Sequence, residues 1–454
     1  MRNRRYAAGE ALISPSMVLN LRLKWQFNAG KDISATPTIL GGRRVIISFH
    51  PFLFTVKKKF NYFRYKQNLQ ELTGLNATGI IFQVNWTVSR ATPTITNDLL
   101  AIRIYGPALV IAVKCATGKL VWSTKLDSHF AVVITISGTF HQRAFYEGVP
   151  SLEEGVPIET CCTFRGSLVK LDIKTGTILW QTFMLPDNHS AIGEYAGSAI
   201  WASSPSITVR RNLVFIATGN LYSAPQEILD CQEKQNNQTV PTHADACLEP
   251  DNHSNSILAL DLDSGKIKWH RQLGGYDIWF VACSIFNEPN PPNCPPRANP
   301  DADFGEVAMM LSVPVNGSHR DIVAAVRKSG FAWALDRDNG NLIWSTVAGS
   351  GGVSGGGTWG AATDEQREYT NIVNSQRKNF TLWPSNKTTN SSGWVAMDSG
   401  TGGILWSTAD SCNATTNRPM TVANGVVFEG STHKTGPFYA MNAETGVVLW
   451  SYET

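Results

Sequence analysis

Short alternations of apolar and polar residues run along nearly the whole chain. They come in pairs joined by a tight polar turn. The cleanest pair is Tyr439-Ala440-Met441-Asn442-Ala443-Glu444-Thr445-Gly446-Val447-Val448-Leu449-Trp450. The same phrase ends at Trp122 after Thr117-Gly118, at Trp180 after Thr175-Gly176, and at Trp269 after Ser264-Gly265. It recurs at Trp344 after Asn339-Gly340 and at Trp406 after Thr401-Gly402. Period-two alternation predicts strands. Asp or Asn followed by Gly predicts the hairpin, because Gly takes φ > 0 without a Cβ clash. Each Trp closes its unit with a large apolar ring whose N–H can still reach a partner. A fixed hairpin recurring along a chain predicts a repeat architecture.

Leu21 to Phe27 also alternates, which predicts an N-terminal strand over 21–27. Ala35-Thr36-Pro37-Thr38-Ile39, Ala91-Thr92-Pro93-Thr94-Ile95, Ser204-Pro205-Ser206-Ile207 and Arg418-Pro419-Met420-Thr421-Val422 each place Pro at a strand's start, where its missing N–H costs no ladder bond. Between Arg43 and Tyr65 the phrase breaks down: no Thr-Gly and no Trp occur, and Tyr65 stands where the closing Trp is due. That stretch reads either as a diverged, degraded unit over 35–68 or as an aromatic-basic interaction patch. Polar insertions are expected at 223–255 and 284–303. Trp406 and Trp450 lie 44 residues apart, which matches one four-stranded propeller blade of about 40–45 residues. The expected fold is all-β: a β-propeller of four-stranded blades forming one domain over 1–454. Seven units plus an unpaired N-terminal strand predict eight blades, the first degraded and the last incomplete, with that strand joining the closing blade.

Composition agrees. A chain of 454 residues is long for one hydrophobic core, but not for a repeated one. The formal net charge is +3, and Lys57-Lys58-Lys59 stands alone among aromatics, so nucleic-acid binding is not expected. No apolar stretch nears the ~20 residues of a membrane helix. Of eight cysteines, Cys231 with Cys247 and Cys283 with Cys294 bracket polar insertions. A disulfide closing a loop of about 15 residues is worth about 3 kcal/mol. Asn-x-Ser/Thr recurs at Asn76, Asn85, Asn188, Asn237, Asn252, Asn316, Asn379, Asn386, Asn390 and Asn413. Together these features predict a secreted, disulfide-bonded glycoprotein, extracellular or in the secretory pathway. The first residues, Met1-Arg2-Asn3-Arg4-Arg5, carry no apolar signal core.

The hairpins resemble the tryptophan-docking motifs of the eight-bladed pyrroloquinoline quinone (PQQ) repeat family. Cys161-Cys162-Thr163-Phe164-Arg165-Gly166-Ser167, Asp301-Ala302-Asp303-Phe304-Gly305 and Lys328-Ser329-Gly330-Phe331-Ala332-Trp333-Ala334-Leu335-Asp336 resemble the polyvinyl-alcohol dehydrogenase-like proteins of plants and bacteria. The resemblance covers the chain except 43–64. It implies an oxidoreductase that oxidises an alcohol or polyol with PQQ in the central channel and passes electrons to an acceptor of unknown identity. It implies that Trp201 stacks on the cofactor, with Cys161-Cys162 as an adjacent-Cys disulfide on the other face and Arg165 and Trp359 as further cofactor contacts. It implies Asp301 or Asp303 as the base that takes the alcohol proton, and Asn220 of Thr218-Gly219-Asn220 as a metal ligand. Lys328 falls where the family places a cation beside the quinone oxygens, able to stabilise developing negative charge. The chain departs from the family at calcium. Many of these enzymes carry a Glu four residues before Arg-Gly; here that position is Cys161, and Glu153-Glu154 is out of register. A hard cation wants carboxylate oxygens, so calcium is not carried over. No Cys-x-x-Cys-His occurs, so no c-type haem is expected.

Each of these residues also has a plainer reading. Trp201 can be one packing ring among fourteen Trp, Cys161 and Cys162 two thiols, and Asp301 and Asp303 turn caps beside a Pro-rich loop. Lys328 can be a solvated edge charge, Asn220 a turn residue and Trp359 channel lining. Two functions therefore stand: a quinoprotein oxidoreductase, and a non-catalytic propeller used for binding or scaffolding. Convergence in space of Trp201, Lys328 and the Asp pair favours the first.

Overall fold

The computed structural model describes residues 5–24, 36, 38–40, 44–49, 52–57, 62–68, 88–96, 98–202, 204–235, 247, 249–274, 277–279, 301–306, 308–315, 317–352, 354–412, 414–431 and 436–453. Among them, seven four-stranded antiparallel sheets follow one another along the chain. They are blades 1 to 7, at residues 38–68, 94–125, 139–183, 206–272, 309–347, 362–409 and 421–452.

The recurring phrase forms the third and fourth strands of its blade. Ala112 faces Trp122, Ala259 faces Trp269, Ala334 faces Trp344, Ala396 faces Trp406 and Ala440 faces Trp450, and the register slips one residue beyond each Ala. Blade 1 follows the same rule: Thr55 faces Tyr65, and the slip falls between Thr55 and Val56. The stretch that breaks the pattern in composition keeps it in topology.

Every closing Trp before Trp450 docks onto the next blade's turn. The indole N–H of Trp122 donates to the Ile173 carbonyl at 2.9 Å, that of Trp344 to Ser399 at 3.0 Å and that of Trp406 to Ala443 at 3.0 Å. A Thr two residues after the Trp adds a second tie. Thr124 donates to the Gly176 carbonyl at 2.7 Å, Thr182 to Gly265 at 2.8 Å, Thr346 to Gly402 at 2.7 Å and Thr408 to Gly446 at 2.8 Å. The turn glycine must lack a side chain for two reasons. At Gly402, φ is +75° and a Cβ would lie 2.6 Å from the Trp344 ring. Apolar clusters fill the interfaces between blades, as where Tyr146 and Leu168 of blade 3 meet Val214, Ile216 and Leu258 of blade 4. Burying one blade face against the next repeats the core along the chain, which is how a repeat fold outgrows a single core.

The N-terminal residues lie along blade 7. Tyr6 bridges Val422 in parallel, Ala7 N–H donates to the Val422 carbonyl at 2.9 Å, and Val18 packs with Val426 and Ala440. Of the strand expected over 21–27, residues 21–24 form no strand, and the rest falls outside the described residues. Among its described residues, the insertion at 223–255 carries a helix, α1 (Gln226–Gln235), tied by a Cys231–Cys247 disulfide. Cys283, Cys294 and most of the second insertion lie outside the described residues. Two of the expected glycosylation sites are corrected: Asn188 and Asn252 are buried, and the Asn188 amide donates to the Thr163 and Tyr195 carbonyls. A buried, bonded amide cannot carry a glycan. No helix of the described residues is long and apolar enough to cross a membrane.

Candidate active site

Four sequence-distant elements meet around one ammonium group. Lys328 follows the second strand of blade 5, and its Nζ lies 2.9 Å from Asp301 Oδ1 and 2.8 Å from Asp303 Oδ1. The same Nζ sits 4.8 Å from the centroid of the Trp201 ring. The Trp201 indole N–H donates to Asp303 Oδ2 at 2.5 Å. Trp359 meets Trp201 edge-to-face, with centroids 5.3 Å apart. The plainer readings of Lys328 and the Asp pair are thereby removed: the lysine side chain is 13% exposed and both carboxylates are buried.

Local structure explains the aim of these groups. Asp301 adopts φ +50°, an uncommon backbone state for a non-Gly residue. The following amide, Ala302 N–H, donates to buried Asp277 at 2.9 Å, and Lys328 N–H donates to the Asp303 carbonyl at 3.0 Å. Arg327, next to Lys328, turns into the core, where Nη1 donates to the Leu273 carbonyl at 2.6 Å and Nη2 lies 3.7 Å from Asp277. Burial lowers the Arg327 pKa to about 10 and raises that of Asp277 to about 6.

The charges around Lys328 do not cancel. Burial opposes its charge, but Asp301 and Asp303 overcome this and raise its pKa. Burial raises Asp301 well above the carboxylate range; Lys328 opposes this, while Asp303 and Glu154 push the same way. Glu154 is raised to about 7, first by burial, with Lys328 opposing and Asp303 reinforcing the shift. Three carboxylates thus share one ammonium. Sequence spacing left Glu154 unassigned, although the structure puts its charge within the field of Lys328. The 3₁₀ turn Glu153–Gly155 separates two neighbours that sequence could not.

Glu153 turns the other way. Its fully buried carboxylate accepts Thr163 N–H and Phe164 N–H, both at 2.8 Å, and lies 3.2 Å from His129 Nε2. It thereby pins the turn that follows Cys161-Cys162. These two cysteines form a disulfide and belong to the apolar cluster against which Trp201 packs. Asn220 is buried, with its amide donating to the Leu221 and Trp279 carbonyls at 2.8 and 3.0 Å. A Cβ on the adjacent Gly219 would come 3.1 Å from Asp303 Oδ2, so this hairpin passes close to the pair. Arg165 keeps other company: its guanidinium lies over the Phe183 ring and pairs with Asp187 at 3.0 Å. Among the described residues, none of its side-chain partners belongs to the Lys328 cluster.

Similarity to known proteins follows the same lines. A PQQ-repeat family model, described as outer membrane protein assembly factor BamB, matches residues 68–355 and 329–454. The chain belongs to the PQQ-repeat propeller family. It is 25% identical to a polyvinylalcohol dehydrogenase of Pseudomonas sp. over 96% of its length, and 24% identical to that of Sphingopyxis sp. (strain 113P3), also over 96%. It spans 64% and 63% of those two proteins. Among solved structures, a europium-containing methanol dehydrogenase covers 100% of the chain, and the chain covers 85% of it, with a TM-score of 0.70 at 17% identity. The quinohemoprotein alcohol dehydrogenase from Comamonas testosteroni superposes with a TM-score of 0.71 at 19% identity, over 99% of this chain and 71% of that one. Identities this low establish the PQQ-repeat propeller fold, not the reaction.

Proposed function

We propose that this PQQ-repeat propeller is an oxidoreductase that oxidises an alcohol or polyol using PQQ. The observation that carries this reading is the convergence of Trp201, Trp359, Lys328, Asp301 and Asp303 at one place. The donor set suits the cofactor: an aromatic face at Trp201, an apolar cluster holding the Cys161–Cys162 disulfide, and a buried ammonium beside the Trp201 ring. Trp201, Cys161, Cys162 and Trp359 would hold the planar group, and Lys328 would face its quinone oxygens. When bound, PQQ would supply the two-electron acceptor that converts the alcohol to a carbonyl product.

The chain's own residues handle the proton. Both oxygens of Asp303 are engaged, one by Lys328 and one by Trp201. Asp301 uses Oδ1 for Lys328, which leaves Oδ2 to accept the hydroxyl proton of the alcohol. Burial raises its pKa, which strengthens it as a proton acceptor. Asp303 then orients Trp201 and Lys328. Calcium is not part of this reading. Asn220, Glu154 and the Asp pair have the right oxygen chemistry, but no three His, Cys, Asp or Glu among the described residues stand in ligand geometry.

Titration of the purified protein with PQQ tests the reading. Saturable quenching of tryptophan fluorescence is expected in the wild type and a loss of it in Trp201→Ala, followed by alcohol-dependent dye reduction. A folded protein that does not bind PQQ would leave the scaffold function instead, in keeping with the description of the family model that matches.

A further inference from the structure

Trp359 has an exposed ring but no freedom. Its φ is +71°, unusual for a bulky residue, and Gly360 follows at φ +136°. Such backbone states persist only where the surroundings enforce them, and they concentrate at functional sites. Here the enforcement can be traced through each residue of the turn. Thr358 N–H donates to Asn371 Oδ1 at 2.9 Å, and the Asn371 amide donates back to the Thr358 carbonyl at 3.0 Å. Trp359 N–H donates to the Gly305 carbonyl at 2.7 Å, and Met420 N–H donates to the Gly360 carbonyl at 3.0 Å. Ala361 donates from its backbone to the buried carboxylate of Glu306, whose Oε1 also accepts the Thr370 hydroxyl at 2.6 Å. The Trp359 carbonyl in turn accepts Nη2 of Arg5 at 3.0 Å across 354 residues of sequence.

Arg5 reaches this place because the N-terminal segment is fixed to blade 7. Val422 N–H donates to the Arg5 carbonyl at 3.0 Å, and Ala7 N–H to the Val422 carbonyl at 2.9 Å. Gly360 makes room for it: a Cβ there would lie 2.5 Å from Arg5 Nε. Glu306, which closes the far side of the turn, lies close enough that its ionised form favours the Arg5 cation against the cost of burial. Glu306 follows the Asp301–Gly305 segment directly, so the two aromatic walls and the Asp pair are braced by one continuous stretch.

We propose that Arg5, acting from the N-terminal segment, and Glu306 are positioning residues that hold Trp359 edge-on to Trp201 and so shape the cofactor site. The role assigned to that site rests on the PQQ reading; the positioning itself does not.

Two measurements separate these. Paired indoles at this distance give an exciton couplet in circular dichroism, which Trp359→Phe identifies by abolishing it. Arg5→Met is expected to lose that couplet, and Arg5→Lys to recover part of it, since an ammonium can still donate to the Trp359 carbonyl. Gly360→Ala displaces the same guanidinium from the opposite side and is expected to give the Arg5→Met spectrum; it serves where Arg5→Met does not fold. In wild-type protein that binds PQQ, Arg5→Met is expected to raise the dissociation constant about tenfold, the scale of one charge-assisted hydrogen bond. An intact couplet in folded Arg5→Met, even with a lowered melting temperature, overturns the inference. Wild type with the couplet but no PQQ binding overturns the proposed function and leaves the positioning standing.

Discussion

At the scale of single residues, Lys328 organises the site. Among the described residues it is the one ammonium facing Asp301 and Asp303, and both pairs are buried. Removing one partner of a buried ion pair costs about 3–5 kcal/mol, because the other charge stays behind without compensation. Lys328→Met is therefore expected to destabilise the protein by about that amount and to abolish PQQ binding. Lys328→Met combined with Asp301→Asn is expected to recover a large part of the stability, and a double-mutant cycle by urea unfolding reads this directly. A stability loss under 1 kcal/mol in Lys328→Met would show the lysine to be a solvated edge charge after all. The lysine and both aspartates were legible from their motifs. Glu154 was not, because two adjacent glutamates look alike until the 3₁₀ turn sends one to His129 and the other toward Lys328.

At the scale of elements, the repeated phrase is an interlocking device. Trp, the Thr two residues later and the next blade's turn Gly form one contact, repeated along the chain. The Trp and Gly were readable as a motif. The Thr was also in view, as Trp-Ser-Thr, Trp-Gln-Thr, Trp-Ser-Thr and Trp-Ser-Thr at Trp122, Trp180, Trp344 and Trp406, but its role depends on a neighbour 38 to 83 residues away. Two glycines separate backbone strain from packing. Gly402 and Gly317 share nearly the same φ, +75° and +77°, but a Cβ on Gly402 meets the Trp344 ring while one on Gly317 meets nothing within 4 Å. Gly317→Ala is expected to cost about 1–2 kcal/mol, from the left-handed backbone alone. Gly402→Ala is expected to cost about 1–3 kcal/mol more, from overpacking. Equal losses in chemical denaturation would argue that the Trp–Gly contact is loose.

At the scale of the whole molecule, buried carboxylates set the response to pH. Burial raises Glu147 to about 7, with Arg103 opposing it. Burial likewise raises Glu306 to about 8 and Glu368 to about 8. Each binds its proton more tightly folded than unfolded, where a glutamate titrates near 4.3. Between those values the native state holds more protons, so stability falls as pH rises. The contribution is fully present below the unfolded value and is lost as pH rises through about 7 to 8. The melting temperature is therefore expected to be higher at pH 5 than at pH 9. Glu368 is the cleanest test, since neither of its buried oxygens has a hydrogen-bond partner among the described residues. Glu368→Gln removes the need to bury a charge; it should flatten the profile and stabilise the protein at pH 9 by about 1 kcal/mol or more. A profile as steep as that of the wild type would assign the pH dependence elsewhere.

The sequence by itself determined the repeat, the all-β class and the family, because hairpin chemistry and period-two alternation are local and are written again in each unit. It also marked the candidate site residues, as short motifs at 161–167, 301–305 and 328–336. Only the tertiary structure decided which of them meet. Ring geometry brings Trp201, Asp303, Lys328 and Trp359 together from different parts of the chain, and sends Arg165 to Asp187 instead. It alone showed that residues 38–68 keep a blade's register without its Trp, since strand pairing depends on backbone ladders that tolerate Tyr65 in that place. It alone gave Arg5 a role, because a guanidinium at one end of the chain and a carbonyl 354 residues away share no local pattern; they become neighbours only when the fold brings the N-terminal segment against blade 7.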